Sequence, residues 1–270
     1  DDDKSSDEDS ISLLVGALAA AQTESVGGVD SKACVYVGTG LPLDKFFVHK
    51  ENYEKNIKGK YTVTFKSGPW ENVKCTLNII KCRVYPQVWG IFIDMTLDQN
   101  GQAINTYLGK GNVLFLDPGF RTTDYALFRN GEMIDAYSGT LEFGAAWGYR
   151  QICNKLAENN IYLDEKLFDL YLNQSGVYEM ADGRSIDLKP LGETAFKLLG
   201  KKISEELKVR LQEEWKSIHQ TIVGGGGGAG SFKYLKIDNK ELANNPKFGN
   251  ASGFKKAVQG SIRKGIQNNG

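Results

Sequence analysis

The chain has few of the residues that build metal and nucleophile sites. It contains two histidines, His49 and His219, which lie far apart and have no Cys or His neighbours. This pattern argues against a zinc site and against a Ser-His-Asp triad. The 33 basic and 33 acidic residues cancel to a net charge of zero, so no overall field favours nucleic acid or an anionic membrane. No apolar run reaches the length of a membrane span, and we expect direct contact with neither.

The cysteines are also few, and none forms a C-x-x-C pair. They are Cys34, Cys75, Cys82 and Cys153. Cys34 lies beside a predicted strand and Cys153 on a predicted helix face. We therefore expect free, buried thiols, as in a reducing compartment, and a cytoplasmic protein. With 270 residues the chain can form two domains of ordinary size.

The most informative stretch present runs from residue 113 to residue 131. Four apolar residues predict a buried strand, Asp117 follows where it ends, and a Gly turn, two threonines and Asp124 come next. The chain then resumes as a strand, and Asn130-Gly131 is typical of a hairpin tip. Such a strand-turn-strand can hold amides and hydroxyls around a phosphate, with an Asp that holds Mg²⁺ through water. A plain β-hairpin with a polar turn is the alternative.

A second glycine-rich element lies at residues 224–230. It directly follows a predicted strand at residues 220–223. Glycines permit positive φ and close approach of a ligand to the backbone. A flexible linker is the alternative, but linkers seldom follow a strand directly and usually carry more serine. The run is no Walker A loop, because no Lys-Ser or Lys-Thr follows it, and it fits G-x-G-x-x-G poorly.

Apolar spacing elsewhere predicts an alternating α/β order without an internal repeat. Residues 41–53 predict a loop or short helix and residues 91–97 a buried helical turn, and a hairpin is predicted around Asp182-Gly183. The predicted helices are residues 11–21, 145–159, 163–172, 192–215 and 251–262. The predicted strands are residues 33–37, 60–65, 73–85, 113–116, 125–129 and 132–138.

In this order the two motifs resemble those of the actin/Hsp70/sugar-kinase ATPase superfamily. Asp-x-Gly-x-x-Thr-x-Asp at 117–124 is similar to its second phosphate loop, and the glycine cluster is similar to its adenosine loop. Three further segments resemble the prokaryotic ParM and archaeal actin-like group. They are Gly-Leu-Pro-Leu at 40–43, Ser-Gly-Thr-Leu-Glu-Phe-Gly at 138–144 and Asn-Pro-x-Phe-x-Asn-x-x-Gly-Phe at 245–254.

The resemblance implies an α/β fold, the actin-like ATPase fold with ribonuclease H-like domains, in which two domains surround a nucleotide cleft. Domain I would comprise residues 1–110, completed by residues 247–270. Domain II would comprise residues 111–246. The superfamily opens with an Asp-x-Gly phosphate loop on an N-terminal hairpin. Here an acidic run at residues 1–9 leads straight into a helix, so those strands are expected to be missing.

The resemblance also implies roles at the phosphate end of the site. Asp117 would hold Mg²⁺ through water, and Asp124 would support the loop. Gln87 would orient the attacking water, since an amide cannot act as a strong base; a polar turn residue is the alternative. The terminal phosphates of ATP or GTP would be contacted by Gly119, Phe120, Arg121, Thr122 and the Thr123 hydroxyl. For Arg121 a surface salt bridge is the alternative.

At the nucleoside end, the resemblance implies that Gly224, Gly225 and Gly226 approach the ribose and α-phosphate. Lys202 and Glu205 lie on the long helix where the family lines its adenine pocket. A solvated helix face is the alternative for these two charged residues.

These roles imply a protein that polymerises into filaments with ATP or GTP hydrolysis, in plasmid segregation or a prokaryotic cytoskeleton. Its partners would be other copies of itself and a DNA-bound adaptor. Without a first phosphate loop, we expect the chain alone to bind nucleotide weakly and to be inactive as an ATPase or GTPase. A non-catalytic scaffold that keeps the fold is the main alternative, and a sugar or acid kinase ranks last because no acceptor-substrate motif is present.

Overall fold

The computed structural model describes residues 8–104 and 107–267. In the last helix, side chains are described only up to residue 263. Most of the acidic run at residues 1–9 therefore lies outside the described residues. The helices are α1 Glu8–Ser25, α2 Leu43–Ile57, α3 Gln87–Thr96, α4 Ala145–Ala157, α5 Glu165–Gln174, α6 Lys189–Leu211, α7 Gly226–Ser231 and α8 Gly249–Gln267. The strands are β1 Ser31–Leu41, β2 Gly59–Thr64, β3 Lys74–Pro86, β4 Asn112–Pro118, β5 Thr123–Arg129, β6 Glu132–Leu141, β7 Val177–Glu179, β8 Ser185–Asp187, β9 Gln220–Val223 and β10 Lys240–Leu242.

The chain divides into two compact units. The smaller one contains the residues up to Gln87, Asp98–Gln102 and the chain from Phe254 onward, and the larger one contains Val88–Leu97 and Ala103–Gly253. The boundaries of these units differ from the predicted domain boundaries, which lie after residues 110 and 246. The assignment of these two domains stays a prediction. None of the helices in the described residues is both long and apolar enough to cross a bilayer.

The smaller unit is built on a three-stranded sheet in the order β1-β3-β2, with β1 parallel and β2 antiparallel to β3. Its core combines alternate residues of β3 with apolar residues of α1 and α2. The alternation changes phase within β3: Ile79 is buried, Ile80 is 49% exposed and Cys82 is buried again. The pairing with β1 shifts between Val35 and Tyr36. Ile80 is therefore the extra residue of a β-bulge, which restores the inward face after it.

The larger unit is built on a five-stranded sheet in the order β10-β9-β4-β5-β6. Strands β10, β9 and β4 run parallel, and β4, β5 and β6 form an antiparallel meander. Leu114 and Leu116 pack with α4 and α6 on one face, whereas Val113 and Phe115 pack with α3 on the other. Because both faces are covered, β4 is a continuous apolar run instead of an alternating one.

The hairpins follow their turn residues closely. Asn130 and Gly131, between β5 and β6, both have positive φ, at 53° and 82°, which is the conformation that a two-residue type I′ turn requires. Gly183, between β7 and β8, has φ 84°. The two hairpins predicted from Asn-Gly and Asp-Gly are thus confirmed.

The cysteines are free, as predicted, but not all are buried. Cys75, Cys82 and Cys153 are buried, whereas Cys34 is exposed. The prediction for Cys34 was wrong because its position in β1 points away from the core that α1 and α2 form with β3. Burial raises the pKa of the Cys82 thiol to about 12 and that of Cys153 to about 11.

Helices α3 and α8 cross within the larger unit at two glycines. A Cβ added at Gly253 would collide with the carbonyl oxygen of Gly90, and one added at Gly90 would lie 2.5 Å from Cα of Asn250. A side chain at either position would therefore force the two helix backbones apart.

We expect Gly253→Ala to lower the free energy of unfolding by about 1–3 kcal/mol, as overpacking does in a close-packed interior. Gly16→Ala is the matched control, because Gly16 lies in α1 with no atom within 4 Å of an added Cβ. That change should raise stability by about 0.5–1 kcal/mol, the difference between Ala and Gly in a helix. Urea denaturation measures both, and a Gly253→Ala variant as stable as the unaltered protein would contradict this helix crossing.

Candidate functional site

The candidate site forms where two parallel strands of the larger unit end side by side. Leu116 of β4 pairs with Val223 of β9, and the amide of Gly224 donates to the Leu116 carbonyl over 2.8 Å. Parallel strands end at the same edge of a sheet, so the residues after each strand become neighbours. Asp117 and the glycine run are thereby brought together, although more than 100 residues separate them in the chain.

Gly225 lies directly against the Asp117 carboxylate. A Cβ added at Gly225 would stand 2.5 Å from Oδ1 of Asp117 and 2.5 Å from the carbonyl oxygen of Pro118, and Gly225 itself has φ 77°. Only glycine meets both the steric and the conformational requirement. The flexible-linker alternative is therefore wrong: Gly224 and Gly225 are buried, and α7 begins at Gly226.

The next glycine leaves open space. A Cβ added at Gly226 would have no atom within 4 Å, and the residue is exposed. Gly225 and Gly226 thus have opposite surroundings although they are adjacent. The first is fixed by the fold, and the second presents bare backbone to solvent beside Asp117.

The turn after Asp117 is held in shape by the start of helix α4. The amides of Ala145 and Ala146 donate to the carbonyls of Gly119 and Phe120, over 3.0 and 2.8 Å. Inside the turn, the amide of Gly119 donates to the carbonyl of Thr122 over 2.8 Å. The loop conformation is therefore preset, and the Gly119 amide is used within it.

Phe120 is anchored by an aromatic cluster beneath the turn. Its ring lies 6.3 Å from that of Tyr149, which in turn packs on Phe168 at 5.0 Å. Burial, followed by the nearby Asp169 carboxylate, raises the pKa of the Tyr149 hydroxyl. The tyrosine therefore stays neutral and acts as an apolar support for the loop.

The two residues that end the motif form hydrogen bonds with the segment that leads into α4. The fully buried Thr123 donates from Oγ1 to the carbonyl of Phe143 over 2.9 Å. This contact differs from the phosphate contact implied by the resemblance, because the hydroxyl is directed into the protein. Asp124, 1% exposed, accepts from Thr140 Oγ1 over 2.6 Å, which fits its predicted supporting role. Arg121 is exposed at the tip of the turn.

The two helix residues predicted for the nucleoside end have different surroundings. The ammonium of Lys202 lies over the rings of Phe143 and Trp147, at 4.7 and 5.1 Å, an arrangement that cation–π attraction stabilises. Glu205 forms an exposed ion pair with Lys201 at 3.8 Å. The solvated-face alternative thus describes Glu205, whereas Lys202 extends along an aromatic surface.

Gln87 is half-buried and is the first residue of α3, directly after the last residue of β3. It belongs to the smaller unit, and the other predicted site residues belong to the larger one. Its predicted role as the water-orienting residue stays a prediction.

Asn250 was not predicted as a site residue. Its Nδ2 donates to Oδ2 of Asp117 over 2.6 Å, across 133 residues of sequence. The motif at residues 245–254 contained this asparagine, but nothing in its spacing linked it to Asp117. Only the helix crossing of α3 and α8 brings the two together.

The residues present fit a Mg²⁺-nucleotide. The described residues contain no cluster of three or more His, Cys, Asp or Glu side chains that could hold a metal ion. Mg²⁺ that binds substrate phosphates usually keeps several waters and takes only one or two protein carboxylates. Asp117 supplies such a carboxylate, and the open backbone at Gly226 lies on the same edge of the sheet.

Comparisons with known proteins agree with this geometry. The family model described as "Actin like proteins N terminal domain" matches residues 1–90, and that described as "Archaeal actin homologue MreB-like, C-terminal" matches residues 115–235. A search of curated proteins gives no match.

Several solved structures are similar to the chain. The archaeal actin homologue Ta0583 in complex with ADP is 22% identical, with a TM-score of 0.72, covering 91% of this chain and 77% of that one. The actin-like protein Alp7A is 13% identical, with a TM-score of 0.78 and coverage of 99% and 78%. A 15-stranded ParM filament from Clostridium botulinum is 22% identical, with a TM-score of 0.63 and coverage of 82% and 65%.

The sheet order, the site and these matches define the fold as the α/β fold of the actin-like ATPases. The two family models, which together match residues 1–90 and 115–235, identify the chain as a member of the actin-like proteins, and ParM and the archaeal actin homologues are among its structural neighbours. The fold class and the family predicted from the sequence are confirmed.

The two adjacent glycines provide a test of the site geometry. Gly225→Ala should destabilise the protein, because a non-glycine residue at positive φ costs about 1–3 kcal/mol and the added Cβ overlaps Asp117. Gly226→Ala should change the free energy of unfolding by less than about 1 kcal/mol, the usual difference between Gly and Ala in a helix. Urea denaturation of both variants without nucleotide measures the difference. Equal stabilities would show that the chain does not turn at Gly225 as described.

Proposed function

We propose that this protein binds ATP or GTP with Mg²⁺ and assembles with other copies of itself into filaments, and that it hydrolyses the nucleotide when a first phosphate loop is supplied. The observation that carries the proposal is the contact between the Asp117 carboxylate and the backbone of Gly225, at the shared end of β4 and β9. The carboxylate is a group suited to a hydrated cation, and the exposed backbone of Gly226 follows directly after Gly225. The similarity to Ta0583, solved with ADP, and to ParM, solved as a filament, supports the same conclusion.

In this proposal each part of the site has one task. Asp117 holds the waters of Mg²⁺, and the cation, when bound, neutralises charge on the terminal phosphates. The turn from Gly119 to Thr122 faces the phosphates, with Arg121 as an added charge. Gly224 to Gly226 admit the ribose and α-phosphate. Gln87 orients the attacking water, and phosphoryl transfer needs such positioning more than a covalent residue.

Lys202 and Glu205 belong to the nucleoside end of the proposed site. Lys202 is held there by its contact with the aromatic rings of Phe143 and Trp147. The similarity to actin-like proteins supports the proposal of a cytoplasmic filament in plasmid segregation or in a prokaryotic cytoskeleton. The partners are other protomers and a DNA-bound adaptor, without direct contact with nucleic acid or membrane.

A non-catalytic scaffold is the second candidate. The resemblance implies that the Gly119 amide and the Thr123 hydroxyl contact phosphate, but both donate to carbonyl groups of the protein itself. This observation favours the scaffold. In this alternative the actin-like fold and self-assembly persist, and hydrolysis is lost.

Nucleotide binding predicts a Mg²⁺-dependent rise in stability. A ligand at 100 times its dissociation constant adds about 2.7 kcal/mol to the free energy of unfolding. The melting temperature of the full-length protein should therefore rise with Mg·ATP or Mg·GTP. Asp117→Asn should remove most of this rise. Asp135→Asn is the control, since Asp135 is exposed on β6 of the same sheet. A melting temperature that millimolar Mg²⁺-nucleotide leaves unchanged would count against the site.

Filament assembly and nucleotide hydrolysis should respond differently to substitutions in the site. The amount of full-length protein that sediments should increase with Mg²⁺ and nucleotide, and Asp117→Ala should abolish the increase. Gln87→Ala should keep assembly but slow phosphate release by roughly 100-fold, the effect expected from a misplaced reactant. Gln174→Ala, at the exposed end of α5, is the control. Assembly without phosphate release in the unaltered protein would support the scaffold, and a Gln87→Ala variant with unaltered turnover would remove Gln87 from the proposed mechanism.

A further inference from the structure

The Asp117 carboxylate has a neighbour that the proposed function does not use. Asn250, near the start of α8, donates from Nδ2 to Oδ2 of Asp117 over 2.6 Å. An ionised carboxylate is acceptor-only, so the amide must present its NH₂ group to it. The other oxygen, Oδ1, lies beside Gly225. One oxygen of Asp117 is thus held by Asn250, and the other faces the glycine loop.

The position of Asn250 is fixed by the crossing of α3 and α8. Gly90 and Gly253 let the two backbones touch. A Cβ at Gly90 would lie 2.8 Å from Oδ1 of Asn250. The asparagine is therefore wedged between α3 and Asp117 and has little freedom to turn.

This arrangement leaves half of the amide unsatisfied. Oδ1 of Asn250 is buried, and no hydrogen-bond donor reaches it from any residue that the structure describes. A buried acceptor without a partner costs stability, and such groups are rare in native proteins. A residue chosen for packing alone would be apolar here. The asparagine is thus explained by the hydrogen bond that it gives to Asp117 and not by the stability of the helix crossing.

We propose that Asn250 is a positioning residue for Asp117 and sets the affinity of the nucleotide site for Mg²⁺. Its amide holds the carboxylate in one rotamer, with Oδ1 directed to the glycine loop. Groups that orient a metal-binding side chain from behind typically change metal affinity by 10–100-fold when removed. The inference rests on the proposed function, because it assigns Asn250 a task at that same site.

The test uses the full-length protein at a fixed concentration of ATP or GTP. The rise in melting temperature that the nucleotide causes is measured as a function of the Mg²⁺ concentration. Asn250→Ala should raise the half-maximal Mg²⁺ concentration by about 10-fold or more. Ser252→Ala is the matched control, because it removes the hydrogen bond that Ser252, in the same turn of α8, gives to the Asp94 carboxylate. It keeps both glycines of the crossing and the bond from Asn250 to Asp117, so its Mg²⁺ dependence should stay unaltered.

A second variant separates positioning from folding. Asn250→Leu removes the donor together with the unsatisfied oxygen, so the melting temperature without nucleotide should stay close to that of the unaltered protein, while the Mg²⁺ dependence weakens as in Asn250→Ala. In the Asp117→Asn background, Asn250→Ala should change the Mg²⁺ dependence no further, because the two residues act through one carboxylate.

The outcomes distinguish the two proposals. If the unaltered protein does not respond to Mg²⁺-nucleotide, the proposed function itself fails. If it responds and both Asn250 variants show the same Mg²⁺ dependence as Ser252→Ala, only the role of Asn250 is overturned. If both Asn250 variants are unfolded without nucleotide while Ser252→Ala is folded, Asn250 is a structural residue, and the inference is equally overturned.

Discussion

The site depends on the parallel pairing of β4 with β9. Four residue pairs, ending at Leu116 and Val223, set two distant segments of chain in register. A shift of one residue would turn every side chain of β9 to the other face of the sheet. It would also separate Gly225 from Asp117. The hydrogen bond from the Gly224 amide to Leu116 continues the pairing past the end of β9, and the glycine run begins only there.

Close backbone contacts at glycines join the other elements of the site to this strand pair. Gly225 admits Asp117, Gly144 admits the carbonyls of Gly119 and Phe120 at the start of α4, and Gly90 with Gly253 admits the crossing of α3 and α8. At each place a larger residue would separate two elements that hold the site. At these contacts glycine meets a packing requirement, and at Gly225 it also meets a conformational one.

Prediction from the sequence succeeded where local chemistry decides. The four apolar residues before Asp117 gave a strand, Asn130-Gly131 gave a hairpin with positive φ at both residues, and α6 followed its apolar stripe. It failed where a neighbouring element decides. Cys34 is exposed because of the face of β1 that α1 and α2 leave uncovered. Metal, phosphate and water-orienting roles stay predictions.

The sequence by itself determined the order of elements, the two glycine-bearing motifs and, through their order, the actin-like family. These depend on residues close together in the chain, whose turn geometry and apolar spacing are local properties. Only the tertiary structure decided that Gly225 and not Gly226 touches Asp117, that Ile80 is a bulge, and that Asn250 donates to Asp117. Those facts depend on strand register and helix crossing, which join segments up to 133 residues apart, and no local pattern encodes which atoms meet across such a distance.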